Sequence, residues 1–164
     1  MLQALGATFY DDEAQIVDMR KGADLIKYIR RIDLSGVHPQ LAKVNIQLMS
    51  DFSSRLYGKK SEIMQTYESL DLSQNEAAEI DNLIWYFSEL FKNELKIAMG
   101  PIERGGAGGG IAAVLNSLYQ AEILTSHELV NQITHLENLI QQADLIIFGE
   151  GLKEEDQILE TTTI

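Results

Sequence analysis

Asp144-Leu145-Ile146-Ile147-Phe148, an unbroken apolar run closed by Gly149, decides the fold class. Its length suits a strand buried on both faces of a parallel sheet. The residues ahead of it read as a helix. Thr125 and Glu128 have the spacing of a capping box, in which each side chain satisfies an amide at the helix start. Leu129, Val130, Ile133, Leu136, Leu139 and Ile140 then mark a single core face. Further upstream, Ile111 to Tyr119 is apolar and alanine-containing, as a buried helix requires. Ser73 and Glu76 form a second capping box. It opens a long helix with Ala77, Ile80, Leu83, Ile84, Phe87, Leu90, Phe91 and Leu95 on one stripe, expected to end at Gly100-Pro101.

Toward the N-terminus, Val44 to Met49 alternates apolar and polar residues, the period of a half-buried strand, and stops at Ser50-Asp51. Ser54 to Lys60 reads as a loop and Glu62 to Tyr67 as a short helix. Thr8-Phe9-Tyr10 and Gln15-Ile16-Val17 flank the turn Asp11-Asp12-Glu13 as a hairpin would. Ala23 to Ile29 is a short helix, with a break at Asp33-Leu34-Ser35-Gly36. Leu2 to Leu5 is a last helical turn stopped by Gly6. Strands alternate with helices and no composition shift marks a boundary. The expectation is one α/β domain over residues 1–164, a layered sheet with packed helices.

Composition narrows the function. The 164 residues carry 25 acids against 13 bases, a formal charge of −12. A protein that tracks a nucleic-acid backbone needs a basic surface, and an anionic membrane repels an acidic one. Nucleic-acid and membrane partners are therefore not expected. Any anionic ligand must be held by local donors against an unfavourable net field. There is no cysteine, which excludes disulfides, thiolate catalysis and cysteine-ligated metals and fits a cytoplasmic location. No apolar run reaches the roughly 18 residues that span a bilayer. The first residues also lack the charged start and long apolar run of a signal peptide.

Three local features can carry chemistry. Gly105-Gly106-Ala107-Gly108-Gly109-Gly110 lets the backbone approach a ligand closely, and it opens a helix, where amides and the positive dipole end meet. No Lys-Ser or Lys-Thr pair follows, so it is not a P-loop. The same run also reads as a tight connection for a small-residue helix. Glu150, in Gly149-Glu150-Gly151, follows the apolar run. Strand ends are where open α/β sheets place ligands. The acid can bind magnesium, accept a proton or hold a hydroxyl, or it is an exposed turn carboxylate. Asp51 follows the other strand and can hold a hydroxyl or a metal-bound water, or accept local amide bonds as an Asx-turn residue. His38, His127 and His135 read as surface or capping residues, because the last two stand too far apart to share a metal on one helical turn. Trp85 and Tyr86 read as packing or partner surface.

Several stretches together resemble the glycerate kinase family. Met1 to Ala7 resembles the segment after its GGSATNDGG-type motif. Gly105 to Ile123, GGAGGGIAAVLNSLYQAEI, resembles its PGAGAAGG loop and following helix, and Asp144 to Gly151, DLIIFGEG, resembles its DLVITGEG strand and loop. Between them, IDLSGVHPQL and VNIQLMSDFSSRLYG match in order and spacing the family's DISGLDPRL-like turn and ACDVTNPLxG-like strand end. The likeness implies a two-domain transferase that moves the γ-phosphate of ATP, with magnesium, to a hydroxyl of glycerate or a related hydroxy acid. This chain would correspond to most of the inserted domain, with the Rossmann-like domain absent.

On that likeness Asp51 and Glu150 are the catalytic candidates. Arg104, Gly105, Gly106, Ala107, Gly108, Gly109, Gly149 and Gly151 are candidates for binding substrate and phosphate, and no metal ligand is assigned. The pattern also departs from the family. Arg104 stands where the loop's first glycine is expected, and Ser54-Arg55 replaces Asn-Pro. Leu152 takes an Arg position, and Thr161-Thr162 fall near a Gly-Lys position. Losing cations from a polyanion site predicts a chain inactive alone. The alternative is a non-catalytic domain that binds a small anion or a protein. A face left uncovered would favour a homodimer.

Overall fold

The computed structural model describes residues 1–147. Residues 1–33 begin with a 3-10 turn, Leu2–Leu5, stopped by Gly6 in the left-handed region at φ 105°. Strand β1, Thr8–Tyr10, pairs antiparallel with β2, Arg31–Asp33, with Phe9 opposite Ile32. The hairpin expected after Tyr10 forms as a short one, a Tyr10–Ile16 bridge flanked by bonds from the Val17 amide to the Phe9 carbonyl at 2.9 Å and from the Asp11 amide to the Gln15 carbonyl at 3.0 Å. The main partner of β1 is thus the segment just before the expected break. Phe9, Val17, Ile29 and Ile32 are all buried on the same core, and that pairing wins because it buries both strands.

Two glycines form a seam beside this sheet. A Cβ added at Gly6 would lie 2.2 Å from the Gly36 carbonyl oxygen, and one at Gly36 would lie 2.5 Å from that of Gly6. Backbone meets backbone with no room for a side chain on either side of the seam.

The second sheet is a parallel pair. Strand β3, Gln47–Met49, aligns with β4, Glu122–Leu124, in the register Gln47–Glu122, Leu48–Ile123 and Met49–Leu124. Between these strands come helix α1, Glu62–Thr66, helix α2, Gln74–Leu95, and helix α3, Ile111–Tyr119. The α2 capping box forms as expected: the Glu76 amide donates to Ser73 Oγ, and the Ser73 amide donates to the Glu76 carboxylate at 2.8 Å. Helix α2 stops at Leu95, where Lys96 takes a left-handed conformation, ahead of the expected Gly100-Pro101. Its stripe covers the first sheet. Phe91 is fully buried, and Phe87 meets Phe9 edge-on at 6.0 Å and Phe91 at 5.2 Å. Tyr86 Oη donates to the Ile29 carbonyl at 2.7 Å. Ala112, Ala113 and Val114 bury α3 as its composition predicted.

The C-terminal expectations fare differently. Helix α4, Ser126–Thr134, starts on the expected Thr125–Glu128 box but breaks at His135, φ 52°, before helix α5, Leu136–Gln142. The face expected to be core is largely open, with Ile133 72% and Leu139 57% exposed. Residues 144–147 form no strand, and Leu145 and Ile147 are exposed. The parallel pair that makes the chain mixed α/β is β3–β4, and among the described residues the strands make two two-stranded sheets. No helix among them is long and apolar enough to cross a membrane.

Candidate functional site

Strands β3 and β4 run parallel, so their C-terminal ends emerge side by side, where α/β folds place ligands. The ladder extends by one bond, the Ser50 amide to the Leu124 carbonyl at 2.8 Å. The next residue on one side is Asp51, and on the other Thr125 opens α4. Asp51 Oδ1 accepts the Ser126 amide at 2.7 Å, so the acid also ties β3 to the start of α4. The Ser126 amide is the main cause that holds the Asp51 carboxyl below its ordinary value, followed by the Ser126 side chain, with the Arg104 charge contributing least. The local Asx-turn reading of Asp51 is not what forms: the amide it accepts belongs to Ser126, 75 positions away.

The glycine loop faces the same edge. A cleft of about 290 Å³ is lined by Met49, Ser50, Asp51 and Phe52 from the end of β3, Glu62 from α1, and Ala107 and Gly108 from the loop. Sequence-predicted Asp51, Ala107 and Gly108 thus come together. Gly105 and Gly106 lie buried behind them. Gly106 presses on the segment after Asp51: its amide donates to the Ser54 carbonyl at 3.3 Å, and an added Cβ would lie 2.2 Å from the Arg55 carbonyl oxygen. That contact fixes how far the loop stands from the β3 end. Arg104 adopts φ 55°, and its Nε is buried with no hydrogen-bond partner among the described residues. Its charge reaches both Asp51 and Glu128. Glu150, Gly149 and Gly151 lie outside the described residues.

The loop is less open than its composition suggests. The amides of Gly105, Gly106, Ala107 and Gly110 donate to carbonyls of Ile102, Ser54, Arg104 and Gly106, which folds the run into stacked turns. The Gly109 amide points to Glu62 Oε2 at 3.4 Å. Gly108 is exposed, lines the cleft, and has no such bond among the described residues. On the far side, Gly109, Gly110 and Ile111 border a second, apolar cleft of about 210 Å³ with Leu56, Phe87 and Met99. The loop is a wall between a polar and an apolar space.

Sequence reasoning missed Glu62 and Ser126. Glu62 is placed by a well-anchored turn. The Arg55 amide donates to the Lys60 carbonyl at 2.8 Å, and both oxygens of Asp81 on α2 accept the Gly58 amide, at 3.0 and 2.8 Å. Ser61 then caps α1 by accepting the Met64 amide. A cap followed by an acid is visible in the sequence as a helix start. Nothing local links position 62 to position 109. Of the surface and capping readings, capping holds for His38, whose Nδ1 accepts the Gln40 amide at 3.2 Å. No group of three His, Cys, Asp or Glu that could hold a metal occurs among the described residues.

The chain is 28% identical to a glycerate kinase of Halalkalibacterium halodurans over 164 residues, which is all of this chain and 43% of that one. It is 28% identical to a glycerate 2-kinase of Escherichia coli K12 over 151 residues, 92% of this chain and 39% of the relative. A crystal structure described as glycerate kinase 2 of Salmonella typhimurium LT2 superposes with a TM-score of 0.76 at 25% identity, over 88% of this chain and 38% of that one. The chain thus spans less than half the length of the relatives it matches. The model of the glycerate kinase family matches residues 1–159, and with the sequence motifs and the fold in agreement, the chain belongs to that family.

Proposed function

We propose that this chain forms one wall of a phosphotransferase site that moves phosphate from ATP to glycerate or a related hydroxy acid. The observation that carries the reading is the shared cleft: the carboxylate after β3 and the glycine loop before α3 open on one space at the C-terminal edge of a parallel pair. In phosphoryl transfer the protein mainly positions groups and neutralises charge. In this reading Asp51 holds the acceptor hydroxyl, or takes its proton, through the oxygen not occupied by Ser126. In the same reading the Gly108 amide, on the cleft just ahead of α3 and without a hydrogen-bond partner among the described residues, donates to phosphate oxygen. Arg104 offsets part of the local negative field. Gly106 keeps the loop in place, and Glu150 with Gly149 and Gly151 belongs to the same reading by family likeness.

The described residues suit magnesium in the way kinases use it. Asp51 and Glu62 offer hard oxygen donors, too few for a dedicated cage and enough for an ion carried in on nucleotide phosphates. When bound, the ion neutralises phosphate charge. The relatives' remaining length supplies the facing wall in this reading, so turnover belongs to a form that carries both walls.

Calorimetry with ATP, glycerate and phosphoglycerate, beside a coupled transfer assay on this chain and on a longer form, tests the proposal. Binding is expected to this chain, with Asp51→Asn weakening glycerate or lowering turnover about a hundredfold in the longer form. Absence of binding to every one of the three ligands would sink the proposal. Binding with no turnover in any longer form would identify an anion-binding protein instead.

A further inference from the structure

Glu62 occupies an unexpected position for a site meant to take phosphate. It opens α1, and the backbone around it is fixed by Ser61, itself buried, and by the anchored 55–61 turn. From there its carboxylate reaches the Gly109 amide at 3.4 Å while lining the cleft with Asp51, Ala107 and Gly108. The bond is long for an amide and a carboxylate, so little is lost when it breaks. Its partner, however, is one of the loop amides that an incoming anion would want. A phosphate oxygen placed there meets a fixed negative charge at contact range, in a chain whose net charge is already −12.

We infer that Glu62 is a built-in, displaceable anion that fills the glycine loop when no ligand is present and makes the site discriminate against bare anions in favour of cation-paired ones. This rests on the proposed anion-binding role of the loop and adds a selectivity rule to it. The carboxylate keeps the Gly109 amide oriented and satisfied. A bare polyphosphate must expel it and then endure its repulsion. A polyphosphate carrying a divalent cation brings the counter-charge that Glu62 lacks, and the carboxylate becomes a partner of the complex.

The test uses inorganic pyrophosphate and the whole chain. In a chelator buffer without divalent cations, Glu62→Gln is expected to bind pyrophosphate about tenfold more tightly than the parent, the size of one screened like charge removed. With excess magnesium that advantage is expected to vanish or reverse, the variant binding no more tightly than the parent. Glu13→Gln makes the same charge change on a distant exposed turn and is expected to leave affinity unchanged. The Gly109 amide resonance is expected to shift in Glu62→Gln without ligand and, in the parent, on adding pyrophosphate. Glu62→Ala repeats the measurement should glutamine disturb α1. Equal or weaker pyrophosphate binding by both variants in the chelator buffer, or an unmoved Gly109 resonance, overturns the inference, while binding by the parent keeps the anion-site reading. If neither parent nor variants bind pyrophosphate, the anion-site reading falls as well.

Discussion

Helices α2 and α4 start on the same device, Ser73 with Glu76 in one and Thr125 with Glu128 in the other, and each carries apolar residues at helical spacing. Their surroundings differ. Helix α2 lies across the β1–β2 sheet and buries Ala77 and Phe91 completely, with Ile84, Phe87 and Leu90 against the same core. Helix α4 buries no residue, and its Ile133 and the following Leu139 and Leu145 face outward. A capping box and a periodic stripe decide that a helix forms and where it begins. They do not decide what covers it, because burial needs a partner surface that is distant in sequence.

The largest test of this contrast compares the two stripes. Phe91→Ala removes a fully buried ring and is expected to destabilise the fold by about 3–5 kcal/mol, while Ile133→Ala is expected to change stability by less than about 0.5 kcal/mol. Urea denaturation followed by circular dichroism measures both; a comparable loss in Ile133→Ala would mean that α4 is covered in solution. A smaller effect, about 2–3 kcal/mol, is expected for Gly106→Ala, because the new methyl overlaps the Arg55 carbonyl. It would show that the glycine loop is packed like the α2 half and not like α4. Reduced ligand binding in the same variant would tie that packing to the cleft.

The smallest effect concerns the shared device. Ser73→Ala and Thr125→Ala are each expected to cost about 1 kcal/mol. Hydrogen bonds from Ser73 and from Thr125 hold Glu76 and Glu128 below their ordinary value of 4.5. A lowered value means that the folded state favours the ionised acid. The contribution is therefore complete above pH 4.5 and is lost as the pH falls through the lower folded values. The melting temperature is expected to drop on acidification from about pH 5 to 3, and less steeply in either capping variant than in the parent. Equal acid sensitivity in all three proteins would remove the caps from that role.

The same contrast explains what was legible in the sequence. Both capping boxes, the Gly6 stop, the start of α3 and the end of β3 were readable, because each depends on residues within a few positions of one another. Strands β2 and β4 were not, since three residues are too few to show a period and Arg31 or Glu122 says nothing about its partner. The apolar run from Asp144 has the composition of a buried strand, yet its residues 145–147 are exposed: hydrophobic content carries no address for the surface that hides it. In the candidate site, Asp51 and the glycine loop stand out in the sequence through residue type and family likeness together, and Asp51, Ala107 and Gly108 line one cleft. Glu62 escaped because the fold alone brings it to Gly109, 47 positions along the chain.

The seam between Gly6 and Gly36 has a consequence for how this chain can change over time. Each glycine is there because the other's carbonyl fills the space a methyl would need, so neither position is free to vary alone. The first substitution must open the seam, and once it has opened, the second meets much less resistance. The pair therefore behaves as one inherited character written at two places, and its effects should fall well short of the sum of two separate injuries.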